Sequence, residues 1–538
     1  MDGTDWLAVL LSLLFIALNI VWLVRERSSF GYTADEARIL PRAYQLSIDL
    51  RTYGLRGLWV SWTQDPVSPP FLSVLAAPMA FAFDSVVAVV ATVNGFLLVL
   101  LLSAYRIARD LGGRVAGIVA LLVLAAMPGV IWWSRVFEQI VPGSAMWLLT
   151  ILLVMRSDQF RSMPHRIGAG LALGIALVTR AMLIGFLPVL AVALIIQNLA
   201  LKRGQRARPV HVAQFVSIAT VVAATWWWKA FSFVTEYFRV AGYGHPSYDR
   251  ATGGFSLRAN RWIDELQLTS EVLGGRAPAP AMGALGPHGV LWSLALLGLL
   301  GLLTAAATHR HVWSLAGLRT ALASSEWFLG VMAVLGFTVL VTSSQDFRGY
   351  SLINLPIAVV LVATTFRYRK VRLLAAPLAL ILVSYLPYSM SPNASWMALV
   401  VESQNGLHRS DELWEKHAQT MLDKAAAMSD AEDPPVIAMT SDRQLYNGPV
   451  VRMLVLRRSL GIQVLDWKPL AGPNDCEYRK LIDGVVVSDP ASAFSVGLPQ
   501  GDIASIESNL KNCGYRKSGP AMLMPDGGSD TLWWRMNR

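Results

Sequence analysis

A short charged segment soon after the first apolar run of the sequence holds its best candidates for chemistry. The segment spans Thr33–Arg38 and reads TADEAR. Charged side chains cost free energy in lipid, so acids and bases beside a membrane-spanning run need a reason to be there. Thr33 and Glu36 have the spacing of a helix capping box, which would occupy Glu36 and leave Asp35 available. Asp35 is therefore a candidate catalytic carboxylate at a membrane surface, although the segment could simply start a helix.

Further charged residues follow later apolar runs. Glu138 is a second acid, and Arg135, three residues earlier, could pair with it in a solvated ion pair. Arg180 closes a short run; a buried arginine would cost roughly 2.5–3.5 kcal/mol, so its guanidinium should reach the interface or an anion. Arg348 could bind a phosphate in bidentate fashion or be neutralised by Asp346.

A long loop at 231–288 contains the turn-rich stretch Ala241–Gly254, whose glycines suit a mobile lid, with disorder as the alternative. We include His245 of this loop, Tyr350 and Glu36 as candidates for contact with a substrate. The sequence has no H-E-x-x-H, paired C-x-x-C, Walker loop or G-x-S-x-G motif, so these metalloprotease, zinc-site, ATPase and hydrolase signatures give no support.

The composition indicates which elements must position these residues. The chain has 538 residues, of which 54% are hydrophobic and 15% charged, and its mean hydropathy is +0.46, which is too apolar for a soluble protein. The net charge of +10 comes from short clusters between apolar runs and not from a stripe with interleaved aromatic residues. This pattern indicates membrane topology and excludes a nucleic-acid site.

The apolar runs predict about eleven membrane-spanning helices. The predicted spans are Trp6–Val24, Ser85–Tyr105, Val115–Trp133, Val141–Met155, Ile167–Val178, Met182–Leu199, Val210–Trp228, Val290–Ala307, Glu326–Val341, Leu352–Thr365 and Leu373–Tyr388. Pro69–Phe83 is short for a span, and we interpret it as an interfacial or re-entrant helix. Pro41 should interrupt the helix that Thr33 starts and then restart it, with Ile39, Ala43, Leu46 and Leu50 forming an apolar stripe against the membrane surface.

Lys and Arg clusters in alternate connections predict the orientation, because cytoplasmic loops retain positive charge. The clusters comprise Arg106, Arg109 and Arg114; Arg156, Arg161 and Arg166; Lys202, Arg203, Arg206 and Arg208; Arg310 and Arg319; and Arg367, Arg369, Lys370 and Arg372. The N-terminus is then cytoplasmic, whereas Asp35, Glu138, Arg180 and everything after Ser389 are outside. Tryptophans at 132–133 and 226–228 are expected at the outer headgroup level.

The pattern after residue 390 changes to a soluble α/β alternation. Strands are predicted at Val436–Met439, Ile462–Leu465 and Gly484–Val487, with helices at Ser410–Met428, Pro449–Leu460 and Asp502–Leu510, which together indicate a small parallel sheet. Cys476 and Cys513 lie in this part, where an oxidising compartment would let them pair. We therefore predict a membrane module at 1–390, with its first outer loop at 25–84, and an extracytoplasmic α/β domain at 391–538.

These features together resemble the polytopic glycosyltransferases of the GT-C class, particularly the lipid A aminoarabinose transferases and protein O-mannosyltransferases, over about residues 6–388. The resemblance rests on Asp35-Glu36-Ala37-Arg38, Ser68-Pro69-Pro70, RDLGGR at Arg109–Arg114, GLALG at Gly170–Gly174 before Thr179-Arg180, and Arg348 followed by Pro356. This sequence departs from the family pattern at Ser68 and Arg180, where lysine is usual, and at Ile39, where tyrosine is usual.

The resemblance implies a GT-C-like helical bundle that transfers a sugar from a polyprenyl-phosphate donor to a hydroxyl of a lipid, glycan or protein acceptor. It implies that Asp35 is the general base, that Glu138 is the second outer acid, and that Arg38, Arg180 and Arg348 surround the donor phosphate. Transfer by direct displacement would invert the anomeric centre, at the outer face of a plasma (inner) membrane.

Two other functions remain open at this point. A lipid-linked sugar transporter or flippase would also be polytopic and basic, but it usually has ionisable groups near the bilayer midplane. Alternatively, the α/β domain could be a binding module anchored by the bundle. A divalent metal beside Asp35 and Glu138 is possible, but two acids are a thin ligand set and we predict no definite cofactor.

Overall fold

Long runs of Leu, Val, Ala and Ile form helices here, because backbone polar groups in lipid must pair within their own segment. The structure is a computed structural model that describes residues 2–27, 34–64, 68–83, 85–243, 315–342, 351–373, 411–428, 435–439, 442–443, 446–447, 462–466, 482–489, 500–523 and 529–535. The chain divides into a first unit, residues 1–24, 55–75 and 90–399, and a second unit, residues 25–54, 76–89 and 400–538. The domain boundary predicted after residue 390 lies outside the described residues and stays a prediction.

In chain order the helices are α1 (Gly3–Glu26), α2 (Ala34–Tyr53), α3 (Leu55–Gln64), α4 (Phe71–Phe83), α5 (Val86–Gly112), α6 (Arg114–Ala126), α7 (Pro128–Trp133), α8 (Ile140–Arg156), α9 (Met163–Thr179), α10 (Leu187–Ala200), α11 (Pro209–Tyr243), α12 (Leu315–Leu322), α13 (Ser325–Thr342), α14 (Ser351–Thr364), α15 (Arg369–Arg372), α16 (Asp411–Met428) and α17 (Gln500–Asn512). Short 3-10 segments occur at Ala181–Phe186, Arg203–Gln205 and Thr365–Arg367.

The predicted spans that fall on described residues are helical. The spans predicted at Val290–Ala307 and, beyond its first residue, Leu373–Tyr388 lie outside the described residues. Among the residues described, four helices are long and apolar enough to cross a membrane, at Gly3–Glu26, Val86–Gly112, Ala181–Ala200 and Arg203–Ser232. The chain is therefore a polytopic helical membrane protein, as predicted.

Two proline positions differ in their effect on the helices. The run Val115–Trp133 is broken at Met127, which has an extended backbone (φ −67°, ψ 121°) before Pro128, because a residue that precedes proline avoids the helical region. Pro41, in contrast, lies inside the continuous helix α2, so the predicted interruption is wrong. The buried stripe of Ile39, Ala43 and Leu46 packs on both sides of the proline and stabilises the helix through it.

Contacts within the first unit bring the basic connections together at one end of its helices, which we call the basic end. Asp5 of α1 pairs with Arg106 of α5 at 2.9 Å, and Asp110 pairs with Arg156 of α8 at 2.7 Å. Arg319 donates a hydrogen bond to the carbonyl of Ala200, at the end of α10, at 2.8 Å. Arg367 pairs with Glu326 of α13 at 3.0 Å.

These contacts determine the direction of several helices. The start of α1 and the end of α5 lie together, so the two helices run antiparallel. A Cβ on Gly112 would lie 2.8 Å from the Cα of Thr364, which places the end of α14 beside the end of α5. Gly113, between α5 and α6, has φ +86°, a conformation that favours glycine. The RDLGGR motif thus supports close packing at the basic end.

The second unit contains a mixed sheet and not the wholly parallel sheet that we predicted. Strands β1 (Val436–Met439), β2 (Asp442–Arg443), β3 (Tyr446–Asn447), β4 (Gln463–Asp466), β5 (Gly484–Asp489), β6 (Tyr515–Lys517), β7 (Met522–Leu523) and β8 (Ser529–Arg535) occur in that order. The main sheet has the order β4-β1-β5-β8-β6, with β7 also paired to β8. β1 is parallel to β4 and β5, whereas β8 is antiparallel to its neighbours.

The interior strand β8 was not predicted because its burial does not alternate: all its residues from Asp530 to Trp534 are buried. Val485, Tyr515 and Trp533 are part of the hydrophobic core of this sheet. The predicted helix Pro449–Leu460 lies outside the described residues. Cys513, which follows α17, is disulfide-bonded, and Cys476 lies outside the described residues.

Candidate functional site

The structure describes several of the predicted site residues only in part or not at all. Helix α2 begins at Ala34, so Asp35 and Arg38 lie in its first two turns. The side chains of Asp35 and Arg38, and all of His245, Arg348 and Tyr350, lie outside the part of the chain that the structure describes. Their roles stay predictions.

Glu36 forms a buried ion pair within the second unit. Its Oε2 lies 2.6 Å from Nη2 of Arg27, and the side chains are 0% and 3% exposed. Removing one partner of such a pair would leave an uncompensated charge away from water, so both residues are needed together. The pair therefore connects the first turn of α2, which carries Asp35, to Arg27 within the second unit.

In the first unit, three charged residues are buried at the end opposite the basic connections. Arg135 and Glu138 lie between α7 and α8, and each is 2% exposed; Arg180 follows α9 and is 9% exposed. Ionised side chains are rarely buried unless other groups compensate their charge. This concentration of acid and base in an otherwise apolar bundle marks the candidate site in the first unit.

Arg135 is held by neutral polar groups of α1 and by an aromatic ring. Its Nε donates a hydrogen bond to Oδ1 of Asn19 at 2.6 Å, and its guanidinium lies 4.2 Å from the centroid of the Trp22 ring. Burial lowers the pKa of Arg135 to about 9, so the guanidinium is still protonated at neutral pH. A permanent cation is thus positioned by α1 beside the loop that carries Glu138.

Asn19 also connects α1 to α5 and to the end of α7. Its Nδ2 donates to Oδ1 of Asn94 at 2.7 Å and to Oγ of Ser134 at 2.8 Å. Ser134 Oγ in turn donates to the carbonyl of Ile131 at 2.7 Å. All these groups are buried, where hydrogen bonds are stronger than in water and unmade ones are costly. The network fixes the position of Arg135 relative to three helices.

Gln139 connects the loop that carries Glu138 to the Ser68-Pro69-Pro70 motif. Its Nε2 donates to the carbonyl of Pro69 at 2.9 Å and to Oγ of Ser68 at 3.2 Å. A motif that carries the family resemblance therefore lies beside the loop of the proposed second acid, Glu138, in the first unit.

The GLALG motif acts through close helix packing. A Cβ on Gly174 would lie 2.5 Å from Cβ of Val222, and one on Gly170 would lie 2.9 Å from Cβ of Ile218. The absence of side chains at these glycines lets α9 approach α11 closely, as small residues do at helix interfaces in membranes. Arg180 follows directly at the end of α9.

A second glycine makes room for Arg180 itself. A Cβ on Gly143 of α8 would lie 3.1 Å from Cβ and 3.2 Å from Cδ of Arg180. The aliphatic part of Arg180 therefore packs directly on the backbone of α8. This packing restricts the directions in which the guanidinium can point.

Four of the five tryptophans predicted at the outer headgroup level are buried within the protein. Trp132, Trp133, Trp226 and Trp227 are buried, whereas Trp228 is 69% exposed. Trp227 donates to the carbonyl of Leu177 at 3.2 Å. The large rings of the buried tryptophans fill space between helices of the first unit. Their predicted place at the outer headgroup level stays a prediction.

Among the described residues, no group of three or more His, Cys, Asp or Glu side chains could hold a metal ion. Metal dependence stays a prediction, because Asp35, the proposed partner of Glu138, has no described side chain.

Four polar residues of this site were not predicted from the sequence: Asn19, Asn94, Ser134 and Gln139. A signal was present for Asn19 and Asn94, because each is an amide inside an apolar run, and such residues usually bond across helices.

Comparison with known proteins gives a family match over part of the chain and a fold match over nearly all of it. Residues 67–228 match a family model described as dolichyl-phosphate-mannose-protein mannosyltransferase. No curated protein sequence matches the chain. ArnT from Cupriavidus metallidurans bound to undecaprenyl phosphate aligns with a TM-score of 0.55 at 14% identity, covering 99% of this chain and 98% of that chain. Its apo state gives the same values.

An oligosaccharyltransferase from Archaeoglobus fulgidus in complex with Zn and sulfate aligns with a TM-score of 0.46 at 12% identity, covering 88% of this chain and 67% of that chain. The likeness to ArnT establishes the fold. Together with the family match over residues 67–228, this fold agrees with the class that the sequence motifs predicted, a polytopic membrane glycosyltransferase of the GT-C type.

Proposed function

We propose that the protein transfers a sugar from a polyprenyl-phosphate donor to a hydroxyl group of a lipid, glycan or protein acceptor, with inversion at the anomeric carbon. The observation that carries this proposal is the buried concentration of Arg135, Glu138 and Arg180 at one end of the first unit. The shared fold with ArnT, whose structure was determined with undecaprenyl phosphate bound, supports a polyprenyl-linked donor.

Asp35 is the proposed general base. The acceptor hydroxyl attacks the anomeric carbon, its proton passes to the Asp35 carboxylate, and the bond between that carbon and the phosphate oxygen breaks to release polyprenyl phosphate. The hydroxyl becomes acidic as the new bond forms, so an ordinary carboxylate is basic enough. Attack opposite the leaving phosphate inverts the anomeric centre.

Arg38, Arg180 and Arg348 are the proposed contacts of the donor phosphate, with Glu138 as the second acid of the site. Charge-assisted hydrogen bonds from guanidinium groups would stabilise the negative charge that develops on the leaving phosphate. The packing of the Arg180 stem against Gly143 supports this role, because an arginine that is already oriented loses less entropy when it binds an anion. Glu36, His245 and Tyr350 remain proposed contacts of the substrate.

The proposed reaction takes place at the outer face of the plasma (inner) membrane. The basic connections meet at one end of the first unit, and the positive-inside rule assigns that end to the cytoplasm. Arg135, Glu138 and Arg180 lie at the other end. The disulfide at Cys513 favours an oxidising compartment for the second unit.

Replacement of Asp35 by Asn tests the proposed base. Purified protein in liposomes that contain a polyprenyl-phosphate sugar should lose at least about 100-fold in sugar transfer, because a general base contributes 10²-fold or more. The matched control is Asp49→Asn, the same change later in helix α2, which should retain transfer. Both variants should keep the wild-type melting temperature, and wild-type turnover by Asp35→Asn would remove the proposed base.

The same liposomes distinguish transfer from transport. A flippase would move the lipid-linked sugar between leaflets without forming a glycosylated acceptor. Mass spectrometry of glycolipids and glycans from cells with and without the protein would identify the sugar and the acceptor. Movement of the donor with no glycosylated product in either experiment would contradict the proposed transfer.

A further inference from the structure

Two groups of cations at the basic end differ in their partners. One group has carboxylate partners: Arg109 and Arg114 each lie 2.9 Å from Asp2, and Arg156 lies 2.7 Å from Asp110. The second group lies around the starts of α9 and α11. It comprises Arg161, Arg166, Lys202, Arg203, Arg206 and Arg208, together with His211, and we call it the uncompensated cluster. In the described part of the chain, no member of this cluster forms an ion pair with an acid.

Helix packing brings this cluster together. Gly170 and Gly174 of α9 contact Ile218 and Val222 of α11 in the same order, so the two helices run parallel and both start at the basic end. Arg166 lies one turn before Gly170 in α9, and His211 lies one turn before Phe215 of α11, whose carbonyl oxygen would lie 2.9 Å from a Cβ on Gly170. Two adjacent helix starts add their partial positive charges to those of the side chains.

Contacts of the backbone hold the cluster in place without neutralising it. Arg161 donates to the carbonyl of Gly204, which joins the connection before α9 to the connection before α11. Arg166 donates from Nη1 to the carbonyl of Phe160 at 2.6 Å. The ring of Phe160 packs 5.0 Å from the ring of Phe215, one turn beyond His211.

Part of the cluster is buried and incompletely hydrogen-bonded. Arg166 is 7% exposed, and its Nε and the Nδ1 of His211 are buried without hydrogen-bond partners. The positive charges of Arg161, Arg166 and Arg208 lie close enough to His211 to oppose a positive charge on its ring. Like charges held together repel one another, and unmade hydrogen bonds are costly, so an anion at this position would relieve both.

Exposed apolar residues lie at the same level as the cluster. Met163, the first residue of α9, is 61% exposed; Leu199, near the end of α10, is 61% exposed; and Val210, near the start of α11, is 57% exposed. A soluble anion would gain nothing from these side chains. A molecule with an anionic head and apolar chains would bind both the cations and the apolar surface.

We propose that the uncompensated cluster binds the phosphate headgroup of an anionic phospholipid, whose acyl chains lie against Met163, Leu199 and Val210. Arg161 and Arg208, which are exposed, contact the phosphate oxygens first, and Arg166 and His211 provide deeper donors. The site lies at the basic end and does not depend on the proposed sugar transfer.

The full-length protein in detergent, titrated with phosphatidylglycerol or phosphatidylcholine and observed by native mass spectrometry, tests this proposal. Wild-type protein should retain phosphatidylglycerol at least about tenfold more strongly than phosphatidylcholine. The double variant Arg161→Gln/Arg208→Gln should lose about tenfold in phosphatidylglycerol binding, since two charge-assisted contacts disappear. The control Arg114→Gln/Arg156→Gln removes the same charge from the paired group and should retain wild-type binding.

If both double variants lost phosphatidylglycerol binding equally, binding would depend on the net charge of the basic end and not on the cluster. That result would overturn the proposal. Equal binding of the two lipids by wild-type protein would also overturn it. Soluble glycerol 3-phosphate should not displace the lipid at equal concentration; displacement would show that the cluster takes a free phosphate and not a phospholipid. A melting temperature close to wild type for both double variants would show that loss of binding is not loss of fold.

Discussion

Arg135 donates a hydrogen bond from Nε to Oδ1 of Asn19 at 2.6 Å, so a buried cation in the loop after α7 is held by a neutral amide of α1. The geometry of the candidate site in the first unit therefore depends on a helix far away in sequence. This hydrogen bond keeps the guanidinium of Arg135 at a fixed position beside Glu138.

Replacement of Asn19 by Leu should destabilise the protein by roughly 2–3 kcal/mol, because Arg135 loses a charge-assisted hydrogen bond in a buried position. Denaturant unfolding in detergent micelles measures the change. The control is Ser12→Ala, also buried in α1, whose hydroxyl bonds only to the carbonyl of Ala8 in the same helix. It should cost about 1 kcal/mol or less, and equal effects would mean that the Asn19 network adds no stability.

Replacement of Glu36 by Gln should cost about 3 kcal/mol or more, because the buried Arg27 guanidinium loses its ion pair with the Glu36 carboxylate. The double variant Arg27→Met/Glu36→Leu removes both charges and should recover much of the loss. Unfolding of both variants gives the comparison. If the double variant were less stable than Glu36→Gln, the ion pair would not be the source of the effect. A raised KM in Glu36→Gln with unchanged stability would instead favour contact with substrate.

Replacement of Gly174 by Ala should lower stability by about 1–3 kcal/mol, because the new methyl group meets Val222 and the backbone of α11. The control is Gly168→Ala in the same helix, where a Cβ would be 3.4 Å from Leu153, an ordinary contact. This control should be neutral or stabilising, since alanine favours a helix by about 1 kcal/mol over glycine. Melting temperatures should therefore move in different directions.

Replacement of Gly143 by Ala should reduce sugar transfer by about tenfold while changing stability little, because displacement of the Arg180 stem misplaces its guanidinium. The kinetic constants for the donor, measured with purified protein, check this prediction. Gly168→Ala again serves as the control and should keep wild-type kinetics. A loss of stability in Gly143→Ala as large as that in Gly174→Ala would indicate a packing defect and not a role in positioning.

Elements that depend on local chemistry were predictable from the sequence. Apolar runs gave the positions of the spans, and β1 was predicted with its observed bounds, Val436–Met439, because its residues are strongly hydrophobic. The alternation of basic clusters predicted that their connections share one end of the bundle, as the Asp110–Arg156 contact shows. These features depend on residues close together in sequence.

Features that depend on distant contacts were not predictable. Asn19, Asn94 and Ser134 meet only after three helices have packed, so no spacing rule connects them. The burial of Trp226 and Trp227 likewise depends on which helices are neighbours, whereas hydropathy alone favoured a surface position. Proline favours a break in a helix on local grounds, so the sequence predicts one at Pro41. The packing of the buried face of α2 keeps the helix continuous instead.

The position of β8 determines when the sheet of the second unit can be completed during synthesis. It is the last of the described strands to leave the ribosome, yet it lies between β5 and β6 in the interior of the sheet. Until Ser529–Arg535 has been translated, β5 presents an unpaired edge and β6 has no partner. A chain that stops before Ser529 would therefore expose a hydrophobic edge that invites aggregation, so the sheet is protected only after β8 has been translated.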